Sequence, residues 1–192
     1  MLFRSGEEEI VAQAHRELAR GFESLCTIIA PRHPERGTAI AERLKELGLS
    51  VAQRSRGALP GAQTDVYIAD TIGELGTLYA LTPIAFIGGS LVERGGQNPI
   101  EAIRHGTAVI TGPYWHNFPD AYRALLRHKG VMEIRDAKGL AGAVAQLLHS
   151  QAELNRMRQG ATQALSSLSG ALEKTVATLL LYLPDERLQR AS

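Results

Sequence analysis

The chain has 192 residues, 44% of them apolar and 21% charged, with a formal net charge of +1. That length can bury one ordinary core, and the near-neutral balance excludes the basic footprint of a nucleic-acid binder. The single cysteine, Cys26, excludes an internal disulfide and a cysteine-based zinc site; set in an apolar run, it reads as a buried structural thiol.

The predicted elements alternate. Glu7 to Leu18 carries apolar residues at helical spacing, with glutamates in the first turn where the helix dipole favours them. Leu25 to Ala30 is a short, apolar, β-branched strand. Pro34 to Leu47 is an amphipathic helix closed by Gly48. Leu49 to Gln53 is a weak strand, followed by a Gly/Pro/Ser loop to Thr64. Val66 to Ala69 is a strand, Gly73 to Leu81 a helix, and Ile84 to Ile87 a strand. A glycine-rich turn leads to a helix over Gln97 to His105, with Pro99 in its first turn, where a missing N–H costs nothing. Ala108 to Thr111 is a strand, Phe118 to His128 a helix, and Val131 to Ile134 the last strand. Ala137 to Leu148, Ala152 to Ser167 and Leu172 to Leu183 are helices. This alternation predicts an α/β fold: a single Rossmann-like domain over residues 1–192, with a parallel sheet, helices on both faces and extra C-terminal helices.

No apolar run reaches the length of a membrane span, the longest being Val176 to Leu183 before Pro184. Met1 to Ser5 is too short for a secretion signal. The expectation is a soluble, cytoplasmic chain. His15, His105, His128 and His149 are scattered on helices or at their ends and read as surface residues. No metal constellation is visible.

Four segments follow strands and precede helices, where open α/β sheets bind ligands. In the first, Ala30-Pro31-Arg32-His33-Pro34-Glu35-Arg36, a guanidinium and an imidazole meet a helix N-terminus, which makes a phosphate site. A solvated turn with a capping role is the even alternative, and Arg36 is placed to face solvent. In the second, Asp70-Thr71-Ile72-Gly73-Glu74-Leu75, Thr71 suits an N-cap, Gly73 permits close backbone approach, and Glu74 complements the dipole. The third runs from Gly88-Gly89-Ser90-Leu91-Val92 through Gly95-Gly96-Gln97-Asn98-Pro99-Ile100-Glu101-Ala102. It is neither a Walker A loop nor a Gly-x-Gly-x-x-Gly fingerprint. Its glycines let backbone come close to a ligand. Ser90 can donate to a phosphate or cap a turn. Asn98 and Glu101, three residues apart, share a helix face, either for a ligand or as cap and capping box. In the fourth, Gly112-Pro113-Tyr114-Trp115-His116-Asn117-Phe118, Asn117 reads as the cap of the next helix and Phe118 as core. Trp115 and His116 border a cleft or form an exposed loop pair.

Taken together, Arg-His-Pro-Glu-Arg, Asp-Thr-Ile-Gly-Glu-Leu and Gly-Gly-Gln-Asn-Pro-Ile-Glu-Ala resemble the donor-binding segments of the bacterial 3-deoxy-D-manno-octulosonic acid (Kdo) transferases. These are GT-B glycosyltransferases of lipopolysaccharide inner-core synthesis. The resemblance covers roughly residues 6–183 and about half of a full enzyme. It implies the C-terminal half of a GT-B fold, with the N-terminal acceptor domain and the first strand missing. Gly6-Glu7-Glu8 fits the family's Thr-His-x-Gly-Glu-Glu turn, but Arg4 stands in place of its histidine.

The resemblance further implies a site for the CMP moiety of CMP-Kdo. Arg32 would hold the phosphate, with His33 beside it. Thr71, Ile72, Gly73 and Glu74 would lie against the nucleotide, with the backbone of Ile72 and Gly73 reading the cytosine edge. Gly89, Ser90, Gly95, Gly96, Gln97 (a position often His in the family) and Asn98 would follow, and Glu101 would accept the ribose hydroxyls. The implied reaction is an inverting transfer of Kdo to a lipid A precursor, with no metal in the nucleotide site and no cofactor. Its base, a glutamate, belongs to the N-terminal domain, which also carries the acceptor face and the anchor to the cytoplasmic face of the inner membrane. The chain alone is then expected to bind CMP without transferring sugar. Two alternatives stand: a non-catalytic nucleotide-binding or interaction module that kept the fold, and a GT-B enzyme or epimerase with a uridine donor. A sheet edge left open by the missing strand predicts self-association.

Overall fold

The computed structural model describes residues 2–3 and 6–180. In chain order the strands are β1 (Leu2–Phe3), β2 (Thr27–Pro31), β3 (Val51–Gln53), β4 (Val66–Ile68), β5 (Ile84–Ile87), β6 (Ala108–Thr111) and β7 (Val131–Glu133). The helices are α1 (Glu8–Leu18), α2 (Gly37–Glu46), α3 (Leu75–Leu81), α4 (Ile100–Arg104), α5 (Pro119–Arg127), α6 (Ala137–His149) and α7 (Gln151–Leu180). All ladders are parallel, in the orders β1-β2-β4-β3 and β5-β6-β7.

The two sheets share one core. Successive strand residues point to opposite faces. Ile29, Ile68, Phe86 and Ile110 therefore join Val11, Leu18, Ile40, Leu44, Leu140 and Leu147 beneath α1, α2 and α6. Ala85, Ile87 and Val109 face the other way, onto Ala102, Tyr122, Leu125 and Ala161 of α4, α5 and α7. This is the doubly covered parallel arrangement that the alternating sequence predicts.

Three features depart from the sequence reading. The chain does not start with a helix: Leu2 and Phe3 pair with Ala30 and Pro31 as a short first strand. A two-residue strand carries no periodicity by which a sequence could reveal it. Arg4 and Ser5, at the head of the Gly-Glu-Glu motif, lie outside the described residues, as do Leu181, Tyr182 and Leu183 of the predicted last helix. The two predicted C-terminal helices form one, unbroken from Gln151 to Leu180. That stretch contains no proline, and an interior glycine such as Gly170 costs only about 1 kcal/mol against alanine. His15 is not on the surface but buried in α1, where its Nδ1 lies 2.9 Å from the Thr27 hydroxyl.

Candidate functional site

Because every strand runs the same way, the loops after β2, β3, β4, β5 and β6 share one edge of the molecule. That edge gathers all four segments singled out in the sequence.

Arg32 and His33 leave β2 exposed, and Pro34–Arg36 make one 3-10 turn before α2. Among the described residues Arg32 has no ion pair or hydrogen bond, and the His33 imidazole has only Glu35 at 3.6 Å. A guanidinium held in water at a strand end is available to an anion. Arg36 does not face solvent freely as expected. Its Nη2 donates to Glu8 Oε1 at 2.6 Å and ties the start of α2 to α1.

The loop after β4 is built on Asp70. This buried carboxylate accepts from Gln53 Nε2 at 2.6 Å, Ser55 Oγ at 2.7 Å and Ser55 N at 2.9 Å. Burial pushes its pKa up, but these donors outweigh burial and leave it below the usual range. Asp70 also packs on Gly37 so tightly that an added Cβ there would lie 2.1 Å from its Oδ2. The β4 loop is thereby fixed against the start of α2, next to the Arg32 turn.

Beyond Asp70, Thr71, Ile72 and Gly73 are exposed, Ile72 by 88%, and Gly73 has φ +89°. Thr71 does not cap a helix. Its hydroxyl donates to Glu74, whose carboxylate also receives Arg54 through Nη2 at 2.7 Å and Nε at 3.1 Å. The Arg54 fork, then Thr71, holds the Glu74 pKa down. The helix starts one residue later than Glu74, at Leu75. Arg54 carries no signal in the sequence, where it lies in a plain Gly/Pro/Ser loop.

The glycine loop is organised by Glu7, at the entry of α1. Glu7, fully buried, accepts from Gly89 N at 2.6 Å, Leu91 N at 3.0 Å and Ser90 N at 3.1 Å. Three successive N–H groups thus close on a carboxylate from the chain itself. Ser90 is buried as well. Its hydroxyl donates to Ile87 O at 2.5 Å and accepts from Gly112 N at 2.8 Å. The Ser90 hydroxyl, open in the sequence to a phosphate or to capping a turn, ties β5 to the β6 loop here.

Gly89, Gly95 and Gly96 have φ of +72°, +82° and +72°, a region that favours glycine. Gly95 also has no room for a Cβ, which would meet the Asn117 amide at 2.5 Å. Asn117 is not a helix cap. Its Nδ2 donates to Arg94 O at 2.9 Å and its backbone N to Gly95 O at 2.9 Å, so it clamps the glycine loop. Gln97 is buried, and its carbonyl accepts the Tyr122 hydroxyl at 3.0 Å.

α4 begins at Ile100 rather than Gln97, so Asn98 lies ahead of the helix, where its Oδ1 accepts from Ile100 N at 3.0 Å. Glu101 is exposed in the first turn of α4. Trp115 stacks on Tyr122 and donates Nε1 to Glu133 at 3.0 Å, packed rather than open. Of the residues expected to meet a nucleotide, Arg32, His33, Thr71, Ile72, Gly73, Asn98 and Glu101 are exposed.

A crystal structure of the C-terminal CMP-Kdo binding domain of WaaA from Acinetobacter baumannii matches the fold with a TM-score of 0.81. The match has 30% sequence identity and covers 85% of each chain. The chain belongs to the Kdo transferase family. The 3-deoxy-D-manno-octulosonic acid transferase of Haemophilus influenzae is 38% identical over 180 residues, 93% of this chain and 42% of the relative. That of Bordetella pertussis is 37% identical over 153 residues, 79% of this chain and 36% of the relative. The chain therefore spans about two fifths of the length of these Kdo transferases, and its fold is that of the family's C-terminal domain. No family-level sequence profile matches it. Among the described residues no helix is long and apolar enough to cross a membrane.

Proposed function

We propose that this chain is the donor-binding domain of a Kdo transferase and binds CMP-Kdo at the carboxyl edge of its sheets. The observation that carries the reading is the exposed Arg32 just after β2, unpaired among the described residues, in a fold matching a CMP-Kdo binding domain. Arg32 holds the phosphate of the nucleotide. It offsets the negative charge that grows on that phosphate as the glycosidic bond breaks and CMP leaves. The exposed backbone of Ile72 and Gly73 meets the cytosine edge, and Glu101 accepts the ribose hydroxyls. Gly89, Ser90, Gly95, Gly96 and Gln97 act through backbone shape, with Glu7 and Asn117 holding them in place.

In the whole enzyme the acceptor is a lipid A precursor at the cytoplasmic face of the inner membrane. The base that activates it comes from an N-terminal domain. This chain by itself binds CMP and transfers no sugar.

Calorimetric titration with CMP, UMP and AMP tests the reading. Selective CMP binding that is lost in Arg32→Ala and in Glu101→Ala supports it. Equal affinity for all three nucleotides, or binding unchanged in both variants, overturns it. Transfer of Kdo by the pure chain would overturn the division of labour between domains.

A further inference from the structure

The turn after β3 grips the loop after β4 at both ends. At the near end, Asp70 accepts from Gln53 Nε2 at 2.6 Å and from Ser55 Oγ at 2.7 Å. At the far end, Glu74 receives the Arg54 fork, Nη2 at 2.7 Å and Nε at 3.1 Å. Thr71 ties the loop across its base by donating its hydroxyl to Glu74. Gln53, Arg54 and Ser55, adjacent in sequence, thus hold both ends of the loop and leave its tip, Ile72 and Gly73, exposed. Beyond Glu74 the chain enters α3, so close to the end of α4 that a Cβ on Gly76 would meet His105 Nε2 at 3.0 Å. The loop is thereby registered against α4, which carries Glu101. The Arg54–Glu74 pair adds little to the stability of the fold, because its side chains are 40% and 37% exposed and a solvated ion pair gains little. What a forked guanidinium–carboxylate pair does supply is fixed geometry.

We propose that Arg54 is a positioning residue for the nucleobase, a role that rests on CMP binding at this edge as proposed above. Through Glu74 it holds the peptide groups of Ile72 and Gly73 where they pair with cytosine, and so sets the preference for CMP. Cytosine presents an amino donor where uracil presents a carbonyl acceptor. Backbone groups in fixed places tell the two apart, and a loop ordered before the ligand arrives lowers the cost of binding. Glu74 serves the nucleotide through the loop and not by touching it. Arg56 puts the same charge on the same turn without a fork, being exposed and without an ion pair among the described residues.

The test is a calorimetric titration with CMP and UMP, and a magnetic-resonance titration with ribose 5-phosphate, which lacks the base. The chains are the native one, Arg54→Ala, Arg54→Lys and Arg56→Ala. Arg54→Ala is expected to weaken CMP by about tenfold, the size of one lost hydrogen bond, and to bring it level with UMP. Its affinity for ribose 5-phosphate and its thermal midpoint stay at the native values. Arg54→Lys, which keeps the charge but not the fork, falls between, and Arg56→Ala keeps the preference for CMP. Equal weakening of CMP and ribose 5-phosphate, an equal loss in Arg56→Ala, or a native preference that survives Arg54→Ala overturns this inference alone. So does an Arg54→Ala chain that no longer folds, which would make the pair part of the fold. A native chain with no preference for CMP overturns the functional reading, and this inference with it.

Discussion

The carboxylate of Glu7 receives the backbone N–H of Gly89 at 2.6 Å, which joins the entry of α1 to the turn after β5. Helix and loop are far apart in sequence, so this one side chain makes the position of the glycine loop depend on the start of the domain. With the N–H groups of Ser90 and Leu91 also closed on it, the loop does not offer them to an incoming anion.

Glu7→Gln puts an amide nitrogen where a backbone donor now finds an oxygen. One buried N–H then goes unpaired, at a cost of about 1–3 kcal/mol. Urea unfolding measures the loss. Nucleotide affinity falls with it while Arg32 and Glu101 remain in place.

Gly37→Ala drives a methyl group into Asp70, with its Oδ2 at 2.1 Å from the new carbon. Asp70 cannot yield without giving up Gln53 and Ser55. Overpacking of this kind costs about 1–3 kcal/mol. The variant should unfold at lower denaturant. Ser55 N–H, which Asp70 accepts at 2.9 Å, should exchange faster.

His15 makes stability depend on pH. Burial lowers its pKa below the usual 6.5, against the pull of Asp65, with Thr27 on its other nitrogen. The unfolded chain therefore takes up the proton first as pH falls, and stability drops on going from about pH 7 toward 5. His15→Gln should flatten unfolding free energy across that window. The neighbouring Asp65, held low first by the Ser50 N–H, keeps its charge there.

Gly160→Ala acts far from the nucleotide edge. A Cβ at this point of α7 would sit 2.2 Å from His128 O, and one at Gly130 would sit 2.5 Å from Ala161 Cα. The helix crosses the turn before β7 on bare backbone. A loss of about 1–3 kcal/mol is expected from thermal unfolding, with CMP affinity unchanged at temperatures where the chain is folded.

The strand–helix alternation was legible because apolar runs such as Ile84 to Ile87 and helical spacings such as that of Pro34 to Leu47 are local signals. The site segments were legible as motifs, and the structure brings their loops to one edge. Their internal wiring was not. Glu7 looked like any glutamate in a first helical turn, and its three donors lie more than eighty residues away. Asn117 looked like a cap because asparagine before a helix usually is one; only the fold shows Gly95 beneath it. Arg54 carried no pattern at all, since an ion pair across two loops leaves no period in a sequence.

The all-parallel ladders also govern how the chain must assemble. Among the described residues no hairpin brings neighbouring strands together early. Leu2 waits for Ala30, Thr27 for Val66 and Ile84 for Ala108, each with a helix in between. Such non-local closures make folding slow and leave strand edges bare while it proceeds. The β5-β6-β7 half is contiguous in sequence and needs nothing from the first eighty residues to pair. Refolding should therefore start there, with the Glu7 clamp arriving last to lock a loop whose strand is already in place.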